Sequence, residues 1–69
     1  MTALPCPLRR RELETVRWLS LGKSAQETAD LMRISVHTVN HNIMRSLDAT
    51  GNHKATGLVG MALRQGWIE

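Results

Sequence analysis

Apolar residues recur along the chain at helical rather than strand spacing, and turn residues cut them into four segments. Arg9 to Leu21 has no Gly or Pro; Val16 and Leu19 share a face there, flanked by Thr15 and Trp18, and Gly22 is placed to stop a helix. Ser24-Ala25-Gln26-Glu27 reads as a capping box, in which the Ser24 hydroxyl and the Glu27 carboxylate cap each other's backbone amides. The helix it opens turns Thr28, Ala29 and Met32 inward, with Leu31 beside them, and ends near Arg33, with Ile34 anchoring the turn. Ser35 is a further N-cap. Beyond it Val36, Val39, Ile43 and Leu47 form one apolar stripe, which predicts a helix from Val36 to about Leu47. Thr50, Gly51 and Asn52 mark a turn, and a last helix spans about Lys54 to Gln65. After Gly66, Trp67-Ile68 is placed to fold back as a hydrophobic plug. Pro5 and Pro7 hold residues 1–8 extended, as a lead-in or linker remnant before one domain over residues 9–69. The expected fold is all-α, a four-helix bundle containing a helix-turn-helix.

A chain of 69 residues has room for one domain with a modest core. Two tryptophans are its only aromatics, so that core must rest on aliphatic side chains. Nine Lys and Arg against six acids give a net charge of +3, compatible with a polyanionic partner without demanding one. Cys6 is the single cysteine, which excludes an intrachain disulfide and a multi-cysteine zinc site. No apolar run approaches the roughly 18 residues of a membrane span, and Met1–Leu8 lacks the basic start and apolar middle of a signal peptide. A cytoplasmic protein that does not enter membranes is expected. His37 and His41 lie four apart on one helical face, but no Cys or carboxylate close by in sequence completes a metal site. No nucleophile has a matching base, so neither catalysis nor a cofactor is expected.

The two helices joined through Met32–Ser35 have helix-turn-helix spacing, and small Ala29 suits a close crossing. In such a unit the first helix lies across the phosphate backbone and the second enters the major groove. Opposite the apolar stripe stand His37, Thr38, His41, Asn42 and Arg45, with Asn40 and Met44 at the edges; Asp30 is the one acid between Glu27 and Asp48. Lys23, Ser24, Ser35, Thr38 and Arg45 are the candidate phosphate contacts. Asn40 and His41, with Met44, are the candidate base readers, Asn40 being suited to adenine; His37 shares their face. Gly57 and Gly60, with Leu58 and Met61 around them, would let a second copy approach the last helix and form a homodimer. Leu13 and Leu21 fall on one line with Arg17, a candidate contact surface for another domain or protein. Arg9-Arg10-Arg11 is either a solvated charge run or a phosphate contact.

The residues Pro7-Leu8-Arg9-Arg10-Arg11-Glu12-Leu13-Glu14, Gly22-Lys23-Ser24, Glu27-Thr28-Ala29, Ile34-Ser35 and Thr38-Val39 together resemble the LuxR-type (GerE-like) domain of bacterial transcription regulators. Trp18, Gly22-Lys23-Ser24 and the ending Ala62-Leu63-Arg64-Gln65-Gly66-Trp67-Ile68 are similar to its quorum-sensing branch. The resemblance covers about residues 7–68. It implies a four-helix domain that binds duplex promoter DNA as a two-fold dimer through its last helix, with RNA polymerase or another domain as a further contact.

The chain departs from that pattern. Arg9 stands where the family has a Thr cap, and Thr28 where it has Ile. The interval from Thr38-Val39 to Leu47 is about three residues short, while Asp48–Leu58 is longer by a similar amount. The reading helix is therefore expected to be about a turn shorter than the family's, with Arg45 in place of a late Lys contact. An ungapped match is the alternative; it keeps Gly66 in register but puts Ser46 and Thr50 at core positions. Two functional expectations follow: a sequence-specific DNA-binding regulator domain, or a protein-interaction (anti-activator-like) module of the same fold that binds a partner regulator and has lost DNA binding. Arg45 as the one Lys or Arg between Arg33 and Lys54 favours the second. A sigma-like helix-turn-helix shares the Thr-Val pair but not the Trp67-Ile68 ending.

Overall fold

A computed structural model of the chain describes residues 4–69. It contains α1 (Arg10–Ser20), α2 (Ala25–Met32), α3 (Val36–Thr50) and α4 (Ala55–Arg64), and no strand among the described residues. The fold is all-α. The helices α1 and α3 pack on each other and each also touches α2 and α4, whereas α2 and α4 do not meet. Of the lead-in expected over 1–8, residues 1–3 lie outside the described ones. The rest runs without helix across the end of the chain: the Leu4 N–H donates to Gln65 Oε1 (2.7 Å), and the Leu4 carbonyl accepts from Trp67 Nε1 (2.9 Å).

Aliphatic side chains from both ends of the chain make the core. Val16, Leu58, Ala62 and Ile68 are buried together, with Leu8, Leu13, Leu47, Val59 and Trp67 packed around them. Ile68 reaches that cluster because Gly66 takes a left-handed φ of 73°, which turns the chain back so that the Trp67 N–H bonds to the Ala62 carbonyl at 2.9 Å. Leu13 is thus half-buried against the core and shares no exposed line with Leu21.

The capping signals place α2 and α3. Ser24 Oγ accepts the Glu27 N–H at 3.0 Å while Glu27 Oε1 accepts the Ser24 N–H at 2.9 Å. The Ser24 N–H, helped by the Ser24 hydroxyl and by Lys23, favours the charged carboxylate and holds Glu27 below the ordinary carboxylate range. Ser35 Oγ likewise accepts the Thr38 N–H at 3.0 Å to open α3. Between the two helices Arg33 adopts φ 58°, the one left-handed non-glycine among the described residues, a conformation that costs an L-residue about 1–2 kcal/mol.

The far end of α3 corrects the sequence expectation. The helix continues past Leu47 to Thr50 and stops at Gly51, which is left-handed at φ 72°. Ser46 and Thr50, expected on the outside of a shorter helix, turn inward: Ser46 is fully buried and Thr50 half-buried. A hydroxyl is tolerated there because each bonds back to its own helix, Ser46 Oγ to the Asn42 carbonyl (2.7 Å) and Thr50 Oγ1 to the Ser46 carbonyl (2.8 Å). The apolar stripe shifts accordingly. Val39 is buried, Ile43 and Leu47 are half-buried, and Val36, expected to face the core, is 38% exposed. Asp48 falls inside the helix, on its exposed side, rather than in the turn.

Thr28 lacks that remedy. It is completely buried and its hydroxyl has no hydrogen-bond partner. An unpaired buried hydroxyl costs about 1–3 kcal/mol. The near-isosteric Thr28→Val should therefore stabilise the domain by about 1–2 kcal/mol, read as a higher urea midpoint with an unchanged slope. A lower midpoint would mean that the hydroxyl has a partner after all.

Candidate nucleic-acid interface

The exposed side of α3 is built by subtraction. Val39 and Ser46 are drawn into the core and Asn42, Ile43 and Leu47 follow part of the way. What remains outward is His37, Thr38, Asn40, His41, Met44 and Arg45, with Val36 at the start and Asp48 and Ala49 at the far end. Met44 is 64% exposed, a large apolar side chain left in water. The face carries no acid before Asp48. Asn42, placed on the outer face by sequence spacing, instead turns toward α1, where its amide donates to Thr15 Oγ1 at 3.3 Å.

The candidate phosphate contacts divide between helix starts and one tethered arginine. Lys23 is half-buried before α2, whereas Ser24, Ser35 and Thr38 are exposed at the starts of α2 and α3. Ser35 Oγ and Thr38 Oγ1 also share a hydrogen bond of 2.9 Å. Arg45 Nε lies 3.3 Å from Glu12 Oε2, so the single Lys or Arg of α3 is anchored to α1. Glu12 is 5% exposed, and its other oxygen accepts the Arg9 N–H at 2.9 Å. One carboxylate thereby fixes both the start of α1 and the guanidinium of α3. Sequence reasoning passed over Glu12, although an acid at the third position of a helix is the usual one to cap backward.

The four residues expected to pair two copies do not form one surface. Leu58 is wholly buried in the core, so it is not open to a second copy. Gly57 does permit a close approach, but within the chain: a Cβ there would lie 2.9 Å from Asn52 Oδ1. Met61 is half-buried, its sulfur 3.8 Å from Asn52 Nδ2. Gly60 lines a shallow groove with Leu19, Ala55, Thr56 and Val59, and a Cβ there would lie 3.2 Å from the Arg64 guanidinium. Elsewhere, Leu21 and Leu31 are exposed and line an apolar groove with Trp18, Glu14 and Arg17.

Among the described residues no group of three His, Cys, Asp or Glu side chains is arranged to hold a metal ion, and Cys6 is exposed. No helix there is long and apolar enough to cross a membrane. Compared with protein-family models and with curated proteins, the chain matches none.

Proposed function

We propose that the chain is a sequence-specific DNA-binding domain of the helix-turn-helix type, LuxR-like in its motifs, which regulates transcription in the cytoplasm without chemistry of its own. The observation that carries this is the exposed face of α3, free of acids from Val36 to Arg45 and polar apart from Val36 and Met44, on a helix joined to α2 by a three-residue turn. A helix of that kind suits a major groove, where its first turns meet base edges and flanking groups meet phosphates. Asn40, His41 and Met44 then read bases, while Lys23, Ser24, Ser35, Thr38 and Arg45 fix the register. Pairing of two copies uses the outer side of α4 around Gly60 and Leu63, the latter 48% exposed.

The second reading, a module that binds a partner regulator, has its own observation. The one Lys or Arg of α3 is already paired with Glu12, and Leu21 and Leu31 stand open beside Trp18. A gel shift of the 69-residue chain with random duplex separates the two, because even nonspecific binding is electrostatic. Binding at about 50 mM salt that weakens steeply toward 200 mM is expected. Absence of any shift at the lower salt would replace the DNA reading with the partner-binding one. Selection from random sequences should then return a two-fold palindrome; a single half-site would remove the dimer from the proposal.

A further inference from the structure

Two of the four helices open on a cation that gives no side-chain cap, α1 at Arg9 and α4 at Lys54, and α1 carries two more beside it. Arg9, Arg10 and Arg11 crowd the end of a helix whose dipole repels cations. Arg9 occupies the N-cap position but gives no side-chain cap, since a guanidinium has no acceptor. Arg11 is accounted for: it pairs with Glu14 at 2.9 Å and donates to the Met32 carbonyl at 3.3 Å. Arg9 and Arg10 are exposed, and no carboxylate among the described residues lies within ion-pair distance of either. Glu12 offsets part of this arrangement by capping the Arg9 N–H, but the Arg9 and Arg10 side chains have no ion pair among the described residues, and local conflicts of this kind concentrate at functional sites.

The arginines do not simply point into bulk water. They line one cleft with Glu12 of their own helix and with His41, Asn42 and Arg45 of α3. The Glu12 carboxylate holds the cleft together through its bonds to the Arg9 N–H and to Arg45 Nε. Its two oxygens are thus engaged, and Glu14 is paired with Arg11, so the cleft keeps an excess of positive charge. Guanidinium forks match the oxygens of a phosphodiester. His41 belongs both to this cleft and to the exposed face of α3, so the two surfaces are continuous.

We propose that this cleft binds the sugar-phosphate backbone of the same duplex that α3 reads, with Arg9 and Arg10 as the phosphate ligands and Glu12 as the residue that positions Arg45 beside them. The inference rests on the DNA-binding reading above. It adds a backbone contact supplied by α1, outside the two-helix unit.

The test is the salt dependence of binding to duplex DNA, measured by fluorescence anisotropy between about 50 and 200 mM KCl. The double variant Arg9→Gln/Arg10→Gln should flatten the slope of log K against log salt by about 1–2, at roughly 0.9 per phosphate contact. Its relative preference among base sequences should stay that of the parent. Arg9→Ser separates this role from a structural one. It supplies a proper N-cap, so its melting temperature should rise while its DNA affinity falls severalfold. If the parent binds duplex and both variants keep its slope and affinity, the cleft is not a backbone site, though the reading helix stands. If the parent binds no duplex even at the lowest salt, both proposals fall together.

Discussion

Leu58→Ala should cost the domain about 2–5 kcal/mol, a large share of its whole stability. Leu58 is the largest side chain that the fold encloses completely. It sits with Val16, Ala62 and Ile68, residues from α1, α4 and the C-terminal segment, so its loss is felt by three separate parts of the chain. Truncating a buried leucine costs about 2–5 kcal/mol, the spread reflecting how far the cavity collapses. Collapse is limited here, because the chain reverses at Gly66 to seat Ile68 and has little slack. By the usual per-residue scaling, 69 residues hold only about 3–10 kcal/mol in total. The loss is therefore a large fraction of the whole stability, and the urea midpoint should fall steeply. Leu63→Ala, on the same helix but half in water, should cost less than about 1 kcal/mol. Far-UV circular dichroism with urea titration reads both. Had Leu58 lain on a pairing face, its truncation would shift a concentration-dependent assembly and spare the monomer; an unchanged urea midpoint for the monomer would support that placement and refute the core one.

That variant also marks where sequence reading stops. The last helix carries Ala55, Leu58, Val59, Met61, Ala62 and Leu63, apolar nearly all round. Such a pattern announces a helix but does not say which side faces inward. Gly57 had the same ambiguity, because a glycine permits a close approach without naming what approaches. The starts of α2 and α3 were legible because capping is local: Ser24 with Glu27, and Ser35 with the following amides, need no tertiary partner. The end of α3 was not. Counting Ser46 and Thr50 as outward-facing assumes that a buried hydroxyl needs a partner elsewhere, whereas each finds one on the preceding turn of its own helix. The helix phase that buries Ser46 also turns Asn42 toward Thr15, and the longer helix carries Asp48 on its exposed side, which confines the acid-free surface to the first part of α3. Glu12 was missed because its role joins two elements: only the fold reveals that the acid capping α1 also anchors Arg45.

The sharpest consequence of the proposed DNA reading is that Asn40→Asp should sharply weaken binding to the preferred DNA site while leaving the domain intact. The two side chains have nearly the same shape, and Asn40 is exposed, so packing is undisturbed. A carboxylate in the first half of α3 is, if anything, favoured by the helix dipole. Thermal unfolding should therefore match or slightly exceed that of the parent. The effect on DNA has two parts. An amide can donate and accept at once and so engage adenine bidentately, whereas an ionised carboxylate only accepts. Loss of such a pair costs about 1–3 kcal/mol, or roughly 5- to 150-fold in affinity. The added negative charge then meets a groove walled by phosphates, a repulsion that grows as salt falls. The carboxylate that the substitution introduces would accept from the amino group of cytosine, so what binding survives should move from an A·T pair toward a C·G pair at one position. A structural side chain predicts none of this. If the variant bound every duplex as the parent does, Asn40 would lie outside the interface and the reading surface would have to be sought on another part of α3.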